Sequence, residues 1–283
     1  MTFTQFKASE ESKKPHYLLI GNPVSHSVSP VMHNTAFEYY GITAAYHAVA
    51  VSMSEITGVI AHFNSESFLG ANITIPHKQN FIESVDVLTK EASEIGAINT
   101  ILKKEGSLIG HNTDAYGFIA PLEEYIEEIY LDRAIVFGSG GATKAIIYAL
   151  NDLGFDEVVM VSRNPNKYSN FNDVVLCSYD LWLDYAEETS LIINATPLGM
   201  TPNTDASPVN EKEEALLEGK LCYDIVYNPR ETKFLKQAKR SGGTPIGGLD
   251  MLIHQGAKSF QLWTGKQFPI ALIKMRLDEI FPY

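Results

Sequence analysis

The stretch "AIVFGSGGATKAIIYAL", residues 134 to 150, constrains this chain more than any other. An apolar, β-branched run stops at Gly138. Gly140 and Gly141 follow at once, and the residues after them carry apolar side chains at helical spacing. A strand that passes through such a turn straight into a helix opens a βαβ unit. Glycines there let backbone N–H groups at the helix N-terminus approach a pyrophosphate. Gly138, Gly140 and Gly141 are therefore expected to meet a dinucleotide. Thr143 stands where the usual fingerprint has its third glycine, and a tight turn without ligand is the competing explanation.

The end of the following strand discriminates between cofactors. An NAD site usually carries Asp or Glu there to accept the ribose 2′-OH. Here "VVMVSRNPNK" offers Ser162, Arg163 and Asn164, with Lys167 one turn further. A carboxylate would repel a 2′-phosphate, whereas a guanidinium binds it in fork geometry. The expected cofactor is NADP, with Arg163 the discriminating contact and an exposed loop arginine the alternative.

The same alternation of short strands and helical segments runs through most of the chain, which predicts an α/β fold. "HYLLIG", "YHAVAV" and "FLGANITI" read as strands, and "VMHNTAFEYYG" as a helix with Ser29 as N-cap, Pro30 at its first position and Gly41 at its stop. Ser52 to Glu55 fits a capping box. "AINTILKK" and "SLIGHNTD" flank a hairpin turn at Glu105-Gly106. The pattern changes near "YIEEIYLDR", and a second α/β unit follows. With 283 residues two domains are expected, with boundaries at 15–118 and 119–248, and a terminal segment over 249–283 that opens with the amphipathic helix "GLDMLIHQGAKSFQLWTG".

Composition removes several function classes. The net charge is 22 − 34 = −12, so nucleic acid is not an expected partner. An anionic ligand must be drawn by a few local cations and backbone N–H groups. No apolar run reaches the roughly 18 to 20 residues of a membrane span. Cys177 and Cys222 sit in separate apolar segments without ligand spacing, as expected of two buried thiols in a reducing cytoplasm. The opening "MTFTQFKASEESKK" has no signal-peptide core and is expected to fray.

Chemistry concentrates at the strand ends of the first unit. "HSVSP" supplies Ser27 and Ser29; "NITIPHK" supplies Asn72, Thr74 and Lys78; "AINT" and "HNTD" supply Asn99 and Asp114. Period two puts Asn72 and Thr74 on one strand face, and Pro76 ends the ladder so that Lys78 can reach past the strand's carboxyl end. Hydroxyls, amides, one lysine and one carboxylate suit a small, neutral-to-anionic polyhydroxylated ligand and no metal. Against this stands the plainer reading, in which Asn72 and Thr74 satisfy loop backbone and Lys78 is a solvated lysine.

"GNPVSHSVSP", "GANITIPHK", "GAINT", "GHNTD", "GSGGATKA", "NATPLGM", "YDIVYNP" and "GGLDMLIHQGA", in this order from about residue 17 to 265, make the chain resemble the shikimate dehydrogenase family. The resemblance implies an N-terminal α/β/α catalytic domain, a Rossmann-like NADP-binding domain and a C-terminal helix packing back on the first. It implies NADPH-dependent reduction of 3-dehydroshikimate to shikimate, with Lys78 and Asp114 as the catalytic pair. Ser27 and Ser29 would meet the substrate carboxylate, with Tyr227 on the same side; Thr74, Asn99 and Gln255 would hold the rest of the substrate. Gly138, Ser139, Gly140, Gly141, Ala142 and Thr143 would line the pyrophosphate, Ser162, Arg163, Asn164 and Lys167 the 2′-phosphate, and Ile225 and Gly248 the remainder of the cofactor. Family members commonly carry Asn-Arg-Thr where this chain has Ser162-Arg163-Asn164. The expected protein is a cytoplasmic monomer or homodimer. A quinate/shikimate dehydrogenase relative using NAD or quinate, and a non-catalytic dinucleotide-binding regulator, are the alternatives.

Overall fold

The computed structural model describes residues 1–168 and 174–280, so the last three residues of the expected terminal segment, 281–283, lie outside the described residues. By contact density the chain divides into two units. The first holds Met1–Asp114 and the stretch beginning at Gln255; the second holds Ala115–His254.

The first unit contains α1 (Phe3–Ala8), β1 (His16–Gly21), α2 (Ser29–Tyr40), β2 (Ala45–Ala50), α3 (Ile56–His62), β3 (Phe68–Ile73), β4 (Val87–Leu88), α4 (Lys90–Ile95), β5 (Thr100–Lys104) and β6 (Ser107–His111). Its six strands form one sheet in the order β2-β1-β3-β5-β6-β4. β1 pairs parallel with β2 and β3, whereas β5 runs antiparallel to both β3 and β6. That reversal positions the site. Because β5 starts where β3 ends, Asn72 faces Thr100 across the ladder and Thr100 faces His111. The residues just before β5 and just after β6 thus arrive at the carboxyl end of β3. The β5–β6 turn has Glu105 at φ 51° and Gly106 at φ 85°, the pair of positive values that a two-residue type I′ hairpin demands.

Two expectations fail here. The N-terminal segment does not fray. Thr2 and Gln5 make a reciprocal capping box that starts α1, Phe3 and Phe6 are buried in the core, and Thr2 bridges to Ala50 on the edge strand β2. Two buried rings and a cap outweigh a polar composition: Phe6 packs against the rings of His16 at 5.0 Å and His62 at 5.8 Å. Ser29 does not cap α2 either. The helix begins at Ser29 itself, Val28 precedes it in helical conformation, and no side chain caps that end. The stop at Gly41, with φ 63°, is as expected.

The second unit takes in α5 (Asp114–Ile119) from Ala115 onward and contains β7 (Arg133–Phe137), α6 (Gly141–Leu153), β8 (Glu157–Val161), β9 (Val175–Cys177), β10 (Leu191–Asn194), β11 (Leu221–Asp224), α7 (Lys233–Arg240) and β12 (Thr244–Ile246). Its strands are all parallel, ordered β12-β11-β10-β7-β8-β9. The chain therefore winds outward in both directions from β7 and β10, which is the doubly wound dinucleotide-binding order, and ligands bind such sheets where the order reverses. α8 (Gly248–Thr264) and α9 (Ile270–Ile280) complete the chain. From Gln255 onward they pack in the first unit: Trp263 Nε1 donates to Ile101 O at 3.0 Å and Tyr40 Oη to Gln267 O at 2.8 Å. β4, β9 and α9 have no counterpart in the sequence-based expectation. The two strands are only two and three residues long, too short to show a period of their own.

Candidate active site

Lys78 is carried by a turn that is tied down on every side. Thr74 N–H donates to Ile20 O at 2.8 Å, Asn22 N–H to Ile75 O at 2.9 Å, and Ile98 N–H to Lys78 O at 2.9 Å. His77 is fully buried; its Nε2–H donates to Val51 O at 2.7 Å while Nδ1 takes the Asn80 amide at 3.1 Å, so the tautomer is set by its neighbours. A turn pinned in this way holds the lysine stem against a fixed backbone.

The Lys78 ammonium pairs with Asp114 Oδ2, and the two side chains are 14% and 8% exposed. They are 36 residues apart in sequence. The other carboxylate oxygen, Oδ1, accepts from Asn99 Nδ2 at 2.9 Å. Asn99 cannot turn round. Its Oδ1 takes the Thr113 N–H at 2.7 Å and the Thr100 hydroxyl at 2.9 Å, which leaves the NH2 end for the carboxylate. Asp114 N–H donates to Asn112 Oδ1 at 3.0 Å, seating the residue at the start of α5. Gln255 on α8 presents Oε1 to Asn99 Nδ2 at 3.4 Å. Lys78, Asn99, Asp114 and Gln255 are thus one cluster, built from four separate segments of the first unit.

Ser27, not Ser29, carries the local turn. Ser27 Oγ accepts the Ser29 N–H and donates to Ser29 Oγ, both at 3.2 Å, so it is Ser27 that organises the turn before α2. Thr74 is half-buried, and its methyl lies over Gly21, where a Cβ would overlap it. Its hydroxyl makes no hydrogen bond among the described residues. Asn72 is satisfied within the protein, as the plainer reading had it, but mostly by side chains: it is 6% exposed and bonded to the hydroxyls of Tyr46, Thr100 and Ser259, with Asn99 O at 3.2 Å the backbone partner. His33 and Tyr46 are packed rings, stacked at 4.5 Å.

In the second unit Gly138 sits at φ 119°, and a Cβ there would stand 2.8 Å from Ala195 O, so only glycine passes between β7 and the loop after β10. Gly140 precedes α6 with no side-chain cap, and a Cβ on it would meet nothing within 4 Å. The first N–H groups of a 13-residue helix are therefore left open to an anion, with Gly141 and Ala142 half-buried at its mouth beside Ser139. Thr143 is fully buried with no partner for its hydroxyl among the described residues. Arg163 and Lys167 are exposed, and Arg163 makes no ion pair among the described residues. Ser162 Oγ instead accepts the Asn164 N–H at 3.3 Å, shaping the loop. No carboxylate occupies positions 162 to 164. These features fit a dinucleotide bearing a 2′-phosphate.

Ile225 N–H donates to Asn194 O at 3.1 Å, and Gly248 packs so closely on the Ile225 carbonyl that any Cβ would overlap it. Tyr227 is half-buried two residues further on. Beneath them lies a feature that sequence reasoning missed. Asp224 is fully buried, accepting from Thr232 Oγ1 at 2.6 Å, Val226 N at 2.9 Å and Asn194 Nδ2 at 3.0 Å. Burial pushes its carboxyl up to about 6 against those hydrogen bonds. It ties the loop after β10 to the loop after β11. A polar pair at the ends of adjacent strands, in "NATP" and "YDIV", was its only trace in the sequence.

Two stretches of the chain match family models. Residues 19–101 match the shikimate dehydrogenase substrate-binding domain, and residues 248–277 the shikimate 5′-dehydrogenase C-terminal domain. A shikimate dehydrogenase (NADP+) of Moorella thermoacetica is 38% identical over 272 residues, covering 92% of each chain. One from Caldanaerobacter subterraneus subsp. tengcongensis is 37% identical over 258 residues, 88% of this chain and 91% of that one. The crystal structure of shikimate 5-dehydrogenase from Thermus thermophilus, in complex with NADP(H) and shikimate, superposes with a TM-score of 0.81 at 34% identity, covering 94% of this chain and 99% of that one. Among the described residues no helix is long and apolar enough to cross a membrane.

Proposed function

The chain belongs to the shikimate dehydrogenase family, and from that premise we propose that Lys78 and Asp114 carry the proton chemistry of its NADP-dependent reaction. The reaction is the reversible reduction of 3-dehydroshikimate to shikimate, an oxidation or reduction at a CH–OH carbon. NADPH, when bound, supplies the hydride that the ring carbonyl carbon receives. As charge develops on the carbonyl oxygen, the Lys78 ammonium stabilises it and donates the proton; in the oxidative direction neutral Lys78 removes the hydroxyl proton. Asp114 orients the lysine and accepts from the same substrate hydroxyl.

The other roles follow in this reading. Thr74, Asn99 and Gln255 hold the ring hydroxyls, and Ser27, Ser29 and Tyr227 the carboxylate. Gly138, Ser139, Gly140, Gly141, Ala142 and Thr143 line the pyrophosphate of NADP. Ser162, Arg163, Asn164 and Lys167 meet its 2′-phosphate, while Ile225 and Gly248 bound the rest of the cofactor. Residues 15–118 form the substrate domain, 119–248 the NADP domain, and 249–283 return to the former. The free, buried thiols of Cys177 and Cys222 suit a cytoplasmic protein, acting as a monomer or homodimer.

One observation carries the proposal: a lysine and an aspartate from distant segments meet, with a fixed amide beside them, at the carboxyl end of a strand. An absorbance assay with shikimate or quinate crossed against NADP or NAD tests it. The expected result is turnover of shikimate with NADP, and loss of the NADP preference in Arg163→Ala. Turnover confined to quinate and NAD, or an Arg163→Ala enzyme with the wild-type preference, contradicts it.

A further inference from the structure

Behind Asn99 lies a run of buried polar side chains for which the reaction has no direct use. Thr100 on β5 and Ser259 on α8 are fully buried, and Asn72 nearly so. Tyr46 Oη donates to Asn72 Oδ1 at 2.7 Å. That fixes the Asn72 amide, so its two Nδ2 protons point to Ser259 Oγ at 2.9 Å and Thr100 Oγ1 at 3.0 Å. The two hydroxyls are themselves 2.8 Å apart.

Each hydroxyl has one proton to give. Thr100 gives its proton to Asn99 Oδ1 at 2.9 Å. The Thr100–Ser259 contact is therefore bonded only if Ser259 is the donor, although Gln255 O at 3.1 Å offers it a longer alternative. Every donor then points the same way, from Tyr46 through Asn72, Ser259 and Thr100 to Asn99, whose NH2 meets Asp114. In a dry interior such a chain polarises link by link, and a broken link leaves an unpaired group. If the Asn99 amide turned over, its carbonyl oxygen would face the Asp114 carboxylate.

We propose that Thr100 and Ser259 are positioning residues for this reaction: their hydroxyls, acting with the Thr113 N–H that donates to Asn99 Oδ1 at 2.7 Å, lock the Asn99 amide with its NH2 toward Asp114, and so hold the carboxylate where Lys78 needs it. The inference rests on the Lys78–Asp114 reading given above.

Steady-state kinetics with shikimate and NADP test it, using Thr100→Val, Thr100→Ser, Ser259→Ala, the Thr100→Val/Ser259→Ala double variant and Asp114→Asn. Misplacement by about 1 Å can cost up to about 10²-fold in rate, and a roughly tenfold fall in kcat is expected for Thr100→Val, with the KM for NADP unchanged. Thr100→Ser should return kcat to within about twofold of wild type. The double variant should be no slower than Thr100→Val, because Ser259 acts through Thr100. Wild-type kcat in Thr100→Val, an equal loss in Thr100→Ser, or multiplying losses in the double variant overturns the proposal. Should Thr100→Val not fold, Ser259→Ala decides: a lowered kcat supports the proposal and an unchanged one overturns it. Asp114→Asn separates the two ideas. Normal kcat there removes the Lys78–Asp114 reading itself; loss there, with Thr100→Val intact, removes only the positioning role.

Discussion

Single residues of similar type take opposite roles in this molecule according to their depth. Asn72 and Thr74 share a strand face, yet Asn72 is enclosed and bonded to its neighbours while Thr74 is half-buried, its hydroxyl without a hydrogen bond among the described residues. Residue type and period gave the face; burial, which depends on α8 folding over it, decided the function. His33 shows the same effect on titration. Its ring is fully buried against Tyr46, Trp263 and Phe260, neither nitrogen has a hydrogen-bond partner among the described residues, and burial pushes its pKa down from 6.5 to about 3. His62 is pushed down to about 4, mainly by burial and then by the neighbouring His16. Below pH 6.5 the unfolded chain takes up protons that these folded rings refuse. Their contribution to stability is therefore full above that pH and lost as the pH falls toward 4 and 3. Asp224, raised to about 6, works in the opposite sense, since the folded chain binds its proton first. His33→Phe keeps the stacking and removes one histidine from this balance. Its Tm should fall less steeply than that of wild type between pH 6.5 and 4; equal slopes contradict the assignment.

At the scale of elements, what was legible in the sequence is what is local. The Glu105-Gly106 hairpin, the Ser52–Glu55 capping box and the glycine stop of α2 each depend on a few adjacent residues, and each is where the sequence puts it. The misjudged elements depend on distant partners. β4 and β9 exist because β6 and β8 offer free edges, and α1 because β2 and α3 offer a hydrophobic seat for two phenylalanines. The Thr2–Gln5 capping box was the readable sign of α1, outvoted by the polar residues after it. Phe6 anchors that helix and touches no group assigned to catalysis. Phe6→Ala should destabilise the protein by about 3 to 5 kcal/mol, read from urea unfolding, with kcat unchanged; a loss under about 1 kcal/mol would mean that α1 is not held by this ring.

For the whole molecule, alternating strands and helices made two α/β units legible, and the strand–glycine–helix turn at Gly138–Thr143 pointed to the doubly wound sheet of the second. Strand order was not legible, because packing and not local pattern decides that β7 and β10 stand side by side. The Lys78–Asp114 pair was legible and its supports were not. Lys78 and Asp114 stand in strong local motifs, whereas Ser259 is 187 residues from Asn72 and lies in a helix whose sequence gives a hydroxyl no distinction. With a net charge of −12, an anionic ligand depends on a few locally placed cations and backbone N–H groups. Lys78 is proposed to act on the chemical step. The direct measurement is kcat and KM for shikimate in Lys78→Ala, with NADP binding followed separately. The expected result is a fall in kcat of about 10² to 10⁴ with NADP affinity retained. A near-normal kcat with only a raised KM would contradict it and make Lys78 a binding residue.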